Sequence, residues 1–452
     1  MTPPSTSLWT EGKTTLALAV PLIIGQLSQM LMGITDTLMI GQVGVTELAA
    51  LTLANAIFHV PFVFGIGLTV AISVLSSAAF GKNDQPAARS ICRNGLFASL
   101  LLGLLLCVGT SALIPLLPAL QQPPQVVAAT PPFLILILVS IIPALGSMGL
   151  KAHTDSLGRT WTGFWIFLAG VILNIGLNGL FIFALDLGLV GAGIATLISR
   201  TAILIAMIVW LQVDPSLREV TPKRWFEGLE RKMLQRFLTI GGPSALHLLA
   251  EIGAFSTAGF LVGLWGENAL ASHQVALTTA AFVFMVPLGL SMAITIRIGN
   301  AKGAGQPRLY RRIAVSGWAL TTLFALTSAL IVATFASPIA RSFVMDPEVI
   351  ALSAKFLVVA AIFQIVDGLQ IASAGILRGL EDVSIPAWIA FVAYWIIGLP
   401  VGWLLAKRPT LELEAIGIWW GLAVGLSVAA IVLSARVWHL TGKEKRAPVG
   451  EH

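Results

Sequence analysis

Three acidic residues stand inside apolar stretches. Asp36 lies within Gly33-Ile-Thr-Asp-Thr-Leu-Met-Ile-Gly41, Glu251 follows His247 by one helical turn, and Asp367 lies within Gln364-Ile-Val-Asp-Gly-Leu-Gln370. A charge at the centre of a bilayer costs ~2.5–3.5 kcal/mol on insertion scales, so intramembrane acids tend to mark ion or substrate pathways. A carboxyl among apolar side chains takes up a proton readily. It can instead hold Na⁺ where carbonyl, hydroxyl or amide oxygens adjoin it. Either way it is a carrier for a coupling ion. Three acids of one sign also predict cationic cargo, because an anion would call for Arg and Lys in their place.

Other residues have a chemical and a structural reading. Asn174 and Asn178 are spaced i, i+4 and share one helical face. They can supply amide oxygens to an ion or hydrogen bonds between helices. Thr196, in Gly191-Ala-Gly-Ile-Ala-Thr, offers a hydroxyl. His59 and His247 are suited to proton relay or to structural hydrogen bonding. Arg200 falls within the sixth apolar run, where it either pairs with an acid or snorkels. Arg297 and Lys355 lie close enough to run ends to snorkel. Phe58, Phe62, Phe282, Phe284 and Met285 could line a cavity for aromatic cations, or pack, or face lipid. Trp9, Trp419, Trp420 and Trp438 read as an interfacial belt. Cys92 and Cys107 are too few for a disulfide framework. No phosphate loop, HExxH or GxSxG pattern occurs, so no ATPase chemistry is encoded.

The elements that position these residues follow from composition. The chain has 452 residues, of which 57% are hydrophobic and 11% charged, with a mean hydropathy of +0.91. A soluble chain is roughly a quarter charged, so neither a soluble enzyme nor a disordered chain is compatible with these numbers. Twelve apolar runs occur, at about 16–40, 51–80, 91–114, 132–150, 164–184, 191–211, 237–264, 270–296, 313–335, 350–376, 385–406 and 416–438. Each is long enough to cross ~30 Å of hydrocarbon as a helix rising 1.5 Å per residue. Alternating strand-length segments are absent, which argues against a barrel. The expected fold is therefore an all-α integral membrane protein of twelve transmembrane helices.

Charge sets the orientation. Alternate loops carry Lys82, Arg89 and Arg93; Lys151 and Arg159; Arg218, Lys223, Arg224, Arg231, Lys232 and Arg236; Lys302, Arg308, Arg311 and Arg312; Arg378; and Lys443, Lys445 and Arg446. The intervening loops are poor in Lys and Arg, although 337–348 and 407–414 are mixed. Basic loops stay cytoplasmic, so both termini are expected inside. The formal charge of +6 is thus orientation charge, and no nucleic-acid partner is expected. No cleavable leader is expected either, since 1–15 is polar and the first run is too long for one.

The halves repeat. At an offset of 222 residues Pro21 meets Pro243, Thr35 meets Thr257, Gly41 meets Gly263, Gly44 meets Gly266, Gly67-Leu68 meets Gly289-Leu290, and Gly81 meets Gly303. Both copies start on the same side, which makes this a parallel repeat of six spans. The expected organisation is an amino-terminal lobe over 1–213, a cytoplasmic linker over 214–236, a carboxy-terminal lobe over 237–440 and a tail over 441–452. Asp36 corresponds to Ala258, and Glu251 lies seven residues earlier, about two turns away on the same face. Each lobe so carries an acid, at different depths. Two lobes with a cleft between them suit alternating access.

The motifs in order resemble the multidrug and toxic compound extrusion (MATE) transporters of the NorM-type branch, over nearly the whole chain. The carrying segments are 33–41 with Glu47-Leu-Ala-Ala50, Asn174-Ile-Gly-Leu-Asn178, 191–196, Ala250-Glu251, Ala271-Ser-His-Gln-Val-Ala-Leu277, Val283-Phe-Met-Val-Pro287, Asp367 with Ala374-Gly-Ile-Leu-Arg-Gly379, and Tyr394-Trp-Ile-Ile-Gly-Leu-Pro400. The resemblance implies a secondary antiporter in the cell membrane. It would export organic cations and drugs against inward H⁺ or Na⁺, with no cofactor beyond that ion. It implies an amino-lobe site of Asp36, Asn174, Asn178 and Thr196, able to take Na⁺, and a carboxy-lobe site of Glu251 and Asp367. Some relatives carry a Tyr one turn before the second acid. Phe363 stands here instead, which removes an oxygen and tilts the expectation towards H⁺. Because the repeat lets one chain form the cleft, a monomer surrounded by lipid is expected. Two rivals are weighed. A lipid-linked precursor flippase of the same wider superfamily would want a cationic cavity. A membrane enzyme would want a surface cluster, and His153, Asp155 and Arg159, read as an ordinary loop, are the one seen.

Overall fold

The computed structural model describes residues 7–225, 228–408 and 413–443. Lys445 and Arg446 of the tail lie outside them. Among the described residues twelve helical segments are long and apolar enough to cross a membrane. They are built from α1 (Leu8–Gly41), α2 (Val45–Gly81), α3 (Gln85–Ser111), α4 (Pro124–Ser156), α5 (Thr160–Asn178), α6 (Gly188–Val213), α7 (Arg231–Gly263), α8 (Glu267–Gly303), α9 (Pro307–Thr334), α10 (Ala336–Phe343), α11 (Pro347–Gly379), α12 (Ser384–Phe391), α13 (Leu399–Lys407) and α14 (Glu414–Lys443). The short α10 overlaps the segment 337–348 read from sequence as a loop. The fifth span continues from α5 through a π-helical segment, Gly179–Ala184, and the eleventh joins α12 to α13 through another, Val392–Gly398.

Local signals set the helix ends. Asp84 accepts a hydrogen bond from the Ala87 amide at 2.9 Å, and Asp346 accepts from the Glu348 and Val349 amides at 2.8 and 3.1 Å. Each caps a helix whose first turn contains proline, the residue that lacks the amide a helix start cannot satisfy. Past α6, the Asp214 carboxylate accepts from the amide and hydroxyl of Ser216 and from Trp210 Nε1. These bonds hold it below the ordinary carboxylate range. The repeat recurs in the element bounds. α2 and α8 both have 37 residues and start 222 apart, α1 and α7 end at Gly41 and Gly263, and α3 and α9 begin at Gln85 and Pro307.

The two compact units are not divided where the charged 214–236 segment suggested. One comprises Ile24–Ala245; the other comprises Met1–Ile23 with Leu246–His452. The division points fall inside α1 and α7, two residues beyond Pro21 and Pro243. A proline inside a helix removes one backbone hydrogen bond, and past each proline the helix changes packing partners. Before its proline α1 packs on α8: Ala19 and Leu22 share a core with Leu290, Ala293 and Ile296. Arg297 donates to the Glu11 carbonyl at 2.7 Å and to Thr15 Oγ1 at 2.6 Å, and also pairs with the Glu11 carboxylate. Arg297 is therefore pinned to α1 and does not snorkel. Lys355 is exposed, as snorkelling requires.

The equivalent exchange occurs on α7. A Cβ on Gly67 would lie 2.5 Å from the Gly241 carbonyl oxygen and 2.6 Å from Ala245 Cβ. At its repeat partner, a Cβ on Gly289 would lie 2.5 Å from Ile23 Cγ1. Backbone cannot yield at the first position, so Gly67→Ala is expected to destabilise the protein by about 1–3 kcal/mol. A lowered thermal midpoint of purified protein in detergent checks this. Gly109→Ala, which meets nothing within 4 Å, should leave the midpoint unchanged or raise it.

Two further expectations are corrected by burial. Trp419 is fully buried and donates to His273 Nδ1 at 3.0 Å, so it belongs to the core, whereas Trp9 and Trp438 are exposed as a belt requires. His153 and Asp155 are not loop residues: α4 runs past them, and both are buried. Ser76 Oγ lies 2.8 Å from His153 Nδ1, and Lys151 Nζ donates to Asp155 at 2.6 Å.

Candidate ion and cargo sites

Within the unit Ile24–Ala245, three helices bring the four amino-lobe residues together. Asn178 Nδ2 donates to Asp36 Oδ1 at 2.5 Å and to Asn174 Oδ1 at 3.3 Å; Asn174 Nδ2 donates to Thr196 Oγ1 at 3.4 Å. Asn174, Asn178 and Thr196 are buried and Asp36 is half-buried. The i, i+4 spacing on α5 makes the asparagine pair. α5 ends at Asn178, and the wider π-helical turn begins there. Such turns are frequent at functional sites. Among the described residues Asn178 Oδ1 is buried without a hydrogen-bond partner, which leaves one acceptor free.

Arg200 has a defined place. Its Nη1 donates to Ser140 Oγ at 2.7 Å, and its guanidinium lies 5.1 Å from the Phe58 ring centre and 5.5 Å from that of Phe62. It is also in electrostatic range of Asp36. Thus it neither snorkels nor forms a direct ion pair. His59 Nδ1 lies 2.7 Å from the Asn55 carbonyl oxygen, which is the structural reading of that residue.

The second site lies wholly within 246–452. Glu251 on α7 and Asp367 on α11 are buried and in electrostatic range of each other. Both act on the fully buried Tyr394, which the π-helical Val392–Gly398 carries. Trp395 Nε1 donates to the Ala250 carbonyl at 2.9 Å and ties that segment to α7 beside Glu251. His247 Nε2 and Gln370 Nε2 are 3.2 Å apart. The Tyr394 hydroxyl, Asp367 Oδ1, Gln370 Oε1 and both amide atoms of Gln364 are buried without hydrogen-bond partners. Buried polar atoms are nearly always satisfied by protein, ordered water or a ligand, so such a concentration marks a polar site. Arg378, read as a loop charge, is the last-turn residue of α11. It donates to the Ala374 carbonyl and to Ser291 Oγ, each at 3.2 Å, and stands in electrostatic range of Glu251. Among the described residues no group of three or more His, Cys, Asp or Glu could hold a metal ion.

The family model MatE matches residues 21–180 and 243–404, two stretches that begin 222 residues apart, as the repeat does. The chain belongs to the MatE family. Similar relatives include a "Probable multidrug resistance protein NorM" of Agrobacterium fabrum. It is 33% identical over 456 residues, covering 98% of this chain and 97% of the relative. The protein of the same name from Bradyrhizobium diazoefficiens is 36% identical over 445 residues, covering 96% and 94%. A crystal structure of MATE in the bent conformation superposes with a TM-score of 0.90 over 96% of each chain, at 20% identity. That likeness shows a shared fold. A MatE chain with twelve apolar helices is a multi-pass membrane protein.

For this MatE chain the oxygen missing at Phe363 has a counterpart. Phe363 packs its ring 5.4 Å from Trp419 and 6.2 Å from Phe255, while Tyr394 brings a hydroxyl from the eleventh span. Sequence reading quoted Tyr394 for resemblance only. Its signal was available: the chain has just two tyrosines, and this one stands in an apolar run. Gln364 and Gln370 flank Asp367 at three-residue spacing and were passed over because they are neutral.

Proposed function

We propose that this protein is a multidrug efflux transporter: a secondary antiporter, not an enzyme, that moves organic cations and drugs out of the cell in exchange for inward H⁺, in preference to Na⁺. The observation that carries the reading is the hydrogen-bonded chain Asp36–Asn178–Asn174–Thr196, assembled from three helices around one intramembrane acid. A second acid cluster, Glu251–Asp367–Tyr394, lies in the other unit. The names of the relatives support the cargo class. The preference for H⁺ rests on Phe363, which offers no oxygen one turn before Asp367. Transport then requires only that ion and cargo have different affinities for two states of the protein. Each acid site draws its residues from one chain, in keeping with a monomer in lipid, and the Lys- and Arg-bearing alternate loops support cytoplasmic termini.

Purified protein in proteoliposomes tests this. With a fluorescent organic cation as cargo, an imposed pH gradient alone is expected to drive transport and a Na⁺ gradient alone is not. Transport under Na⁺ only would overturn the choice of ion. Transport under neither, in folded protein, would overturn the exporter and leave the lipid-precursor flippase.

A further inference from the structure

We propose that the stacked pair Phe58–Phe62 is the aromatic half of a cargo site for flat organic cations, and that Arg200 is its tethered occupant, which cargo displaces. The inference rests on the exporter reading and deepens it. The two rings lie 5.0 Å apart with 23° between their planes, one turn apart on α2, so they are offset-stacked and present a stepped aromatic face. Onto that face α6 places a guanidinium, 5.1 and 5.5 Å from the ring centres. A guanidinium is planar, delocalised and weakly hydrated, and it stacks on aromatic faces. In these respects it resembles a flat organic cation more than it resembles an ammonium or a metal ion. The rings thus already hold a cation of the chemistry the cargo would have.

The anchoring of Arg200 suits displacement. Among the described residues it makes a single hydrogen bond, to the neutral hydroxyl of Ser140, and its counter-charge, Asp36, is held by Asn178. Arg297, by contrast, is fixed by a carboxylate, a carbonyl and a hydroxyl. A structural arginine has the second kind of setting. The first kind lets the guanidinium leave the rings while it stays in electrostatic range of Asp36, so cargo arriving at Phe58–Phe62 would be felt by the acid that carries the coupling ion. The arrangement also sets specificity. Cargo must stack better than Arg200 does, which favours extended aromatic cations over small aliphatic ones.

The test is equilibrium binding of ethidium, a flat aromatic cation, to purified full-length protein without any ion gradient. Arg200→Gln removes the competitor and is expected to tighten binding about tenfold, the gain when a site blocked nine-tenths of the time is freed. Phe58→Leu is expected to weaken binding, and in the double variant to erase the gain. Unchanged or weaker binding in Arg200→Gln overturns the proposal. So does a gain that survives Phe58→Leu, which would mean simple relief of charge repulsion. Ser140→Ala, which keeps the charge and loosens its anchor, should also tighten binding, and serves should Arg200→Gln not fold. No tightening there overturns the proposal as well. If the wild-type protein binds no ethidium, the exporter reading fails with it; if it binds but neither variant gains, only the proposal fails.

Discussion

Asp36→Asn is expected to abolish uphill export of organic cations while leaving the protein folded. The substitution conserves shape, and an asparagine oxygen at the same place still accepts from Asn178 Nδ2. What disappears is the charge. A hydrogen bond to a charged partner contributes on the order of 1.5–3 kcal/mol, about 10–100-fold in affinity, and a neutral amide cannot carry a proton between two states. The check is transport in proteoliposomes under a pH gradient, beside the thermal midpoint of the same preparation. Near-wild-type transport with an unchanged midpoint would remove Asp36 from the coupling machinery. Asp367→Asn makes the matching test for the other unit. The Glu251–Asp367 pair must there lose a shared site and not merely a surface charge, since both residues are buried.

Most of the fold was legible because a membrane makes a simple demand. Every backbone group must be satisfied within the span, so helix follows from apolar length, and each of the twelve runs falls on one spanning segment, three of them overrunning its end by one to three residues. The repeat was legible through glycine and proline, whose backbone roles are not interchangeable with those of neighbouring Leu and Ala. The exchange of α1 and α7 between units was not legible. An apolar helix face carries no address for its partner, and Pro21 and Pro243 mark where partners change without saying which partners they are. Helix ends were read short for a related reason: α4 carries Lys151, His153 and Asp155 inside, where an ion pair and a serine satisfy them, and hydropathy counts such residues as loop.

The candidate sites divide in the same way. Asp36, Asn174, Asn178 and Thr196 were found together because an acid in a span is conspicuous and an i, i+4 amide pair is a recognisable face. Arg200 could not be placed, because whether a cation in a span reaches lipid headgroups, an acid or an aromatic ring depends on neighbours from α2 and α4. Those neighbours are Phe58, Phe62 and Ser140, all distant in sequence. The carboxy-lobe hydroxyl escapes a sequence reading because Tyr394 comes into electrostatic range of Glu251 and Asp367 from a π-helical segment, and no residue pattern in 392–398 announces that widened turn.

Tyr394→Phe is expected to make the protein more stable and less active. The Tyr394 hydroxyl is buried and makes no hydrogen bond. Leaving a buried polar group unsatisfied costs about 1–3 kcal/mol, so its removal, with the ring retained in the core it fills with Trp419 and Phe363, should raise the thermal midpoint by the equivalent of about 1 kcal/mol. A hydroxyl retained at such a cost has its use in another state, and the two carboxyls in electrostatic range point to it: under the proposed H⁺ exchange, it would hydrogen-bond Glu251 or Asp367 as the proton comes and goes. Transport should therefore fall about tenfold, the loss of one such partner, and the fall should appear as a weaker dependence on the driving ion and not as weaker cargo binding in its absence. The paired measurement is decisive because a structural tyrosine behaves oppositely. Were the hydroxyl holding the helices together, Phe would lower the midpoint, and activity would follow stability down. A raised midpoint with unchanged transport would leave the hydroxyl without a role in coupling, and would return the carboxy-lobe site to the two acids alone. Stability and function pulling apart at one atom is the mark of a group kept for its chemistry.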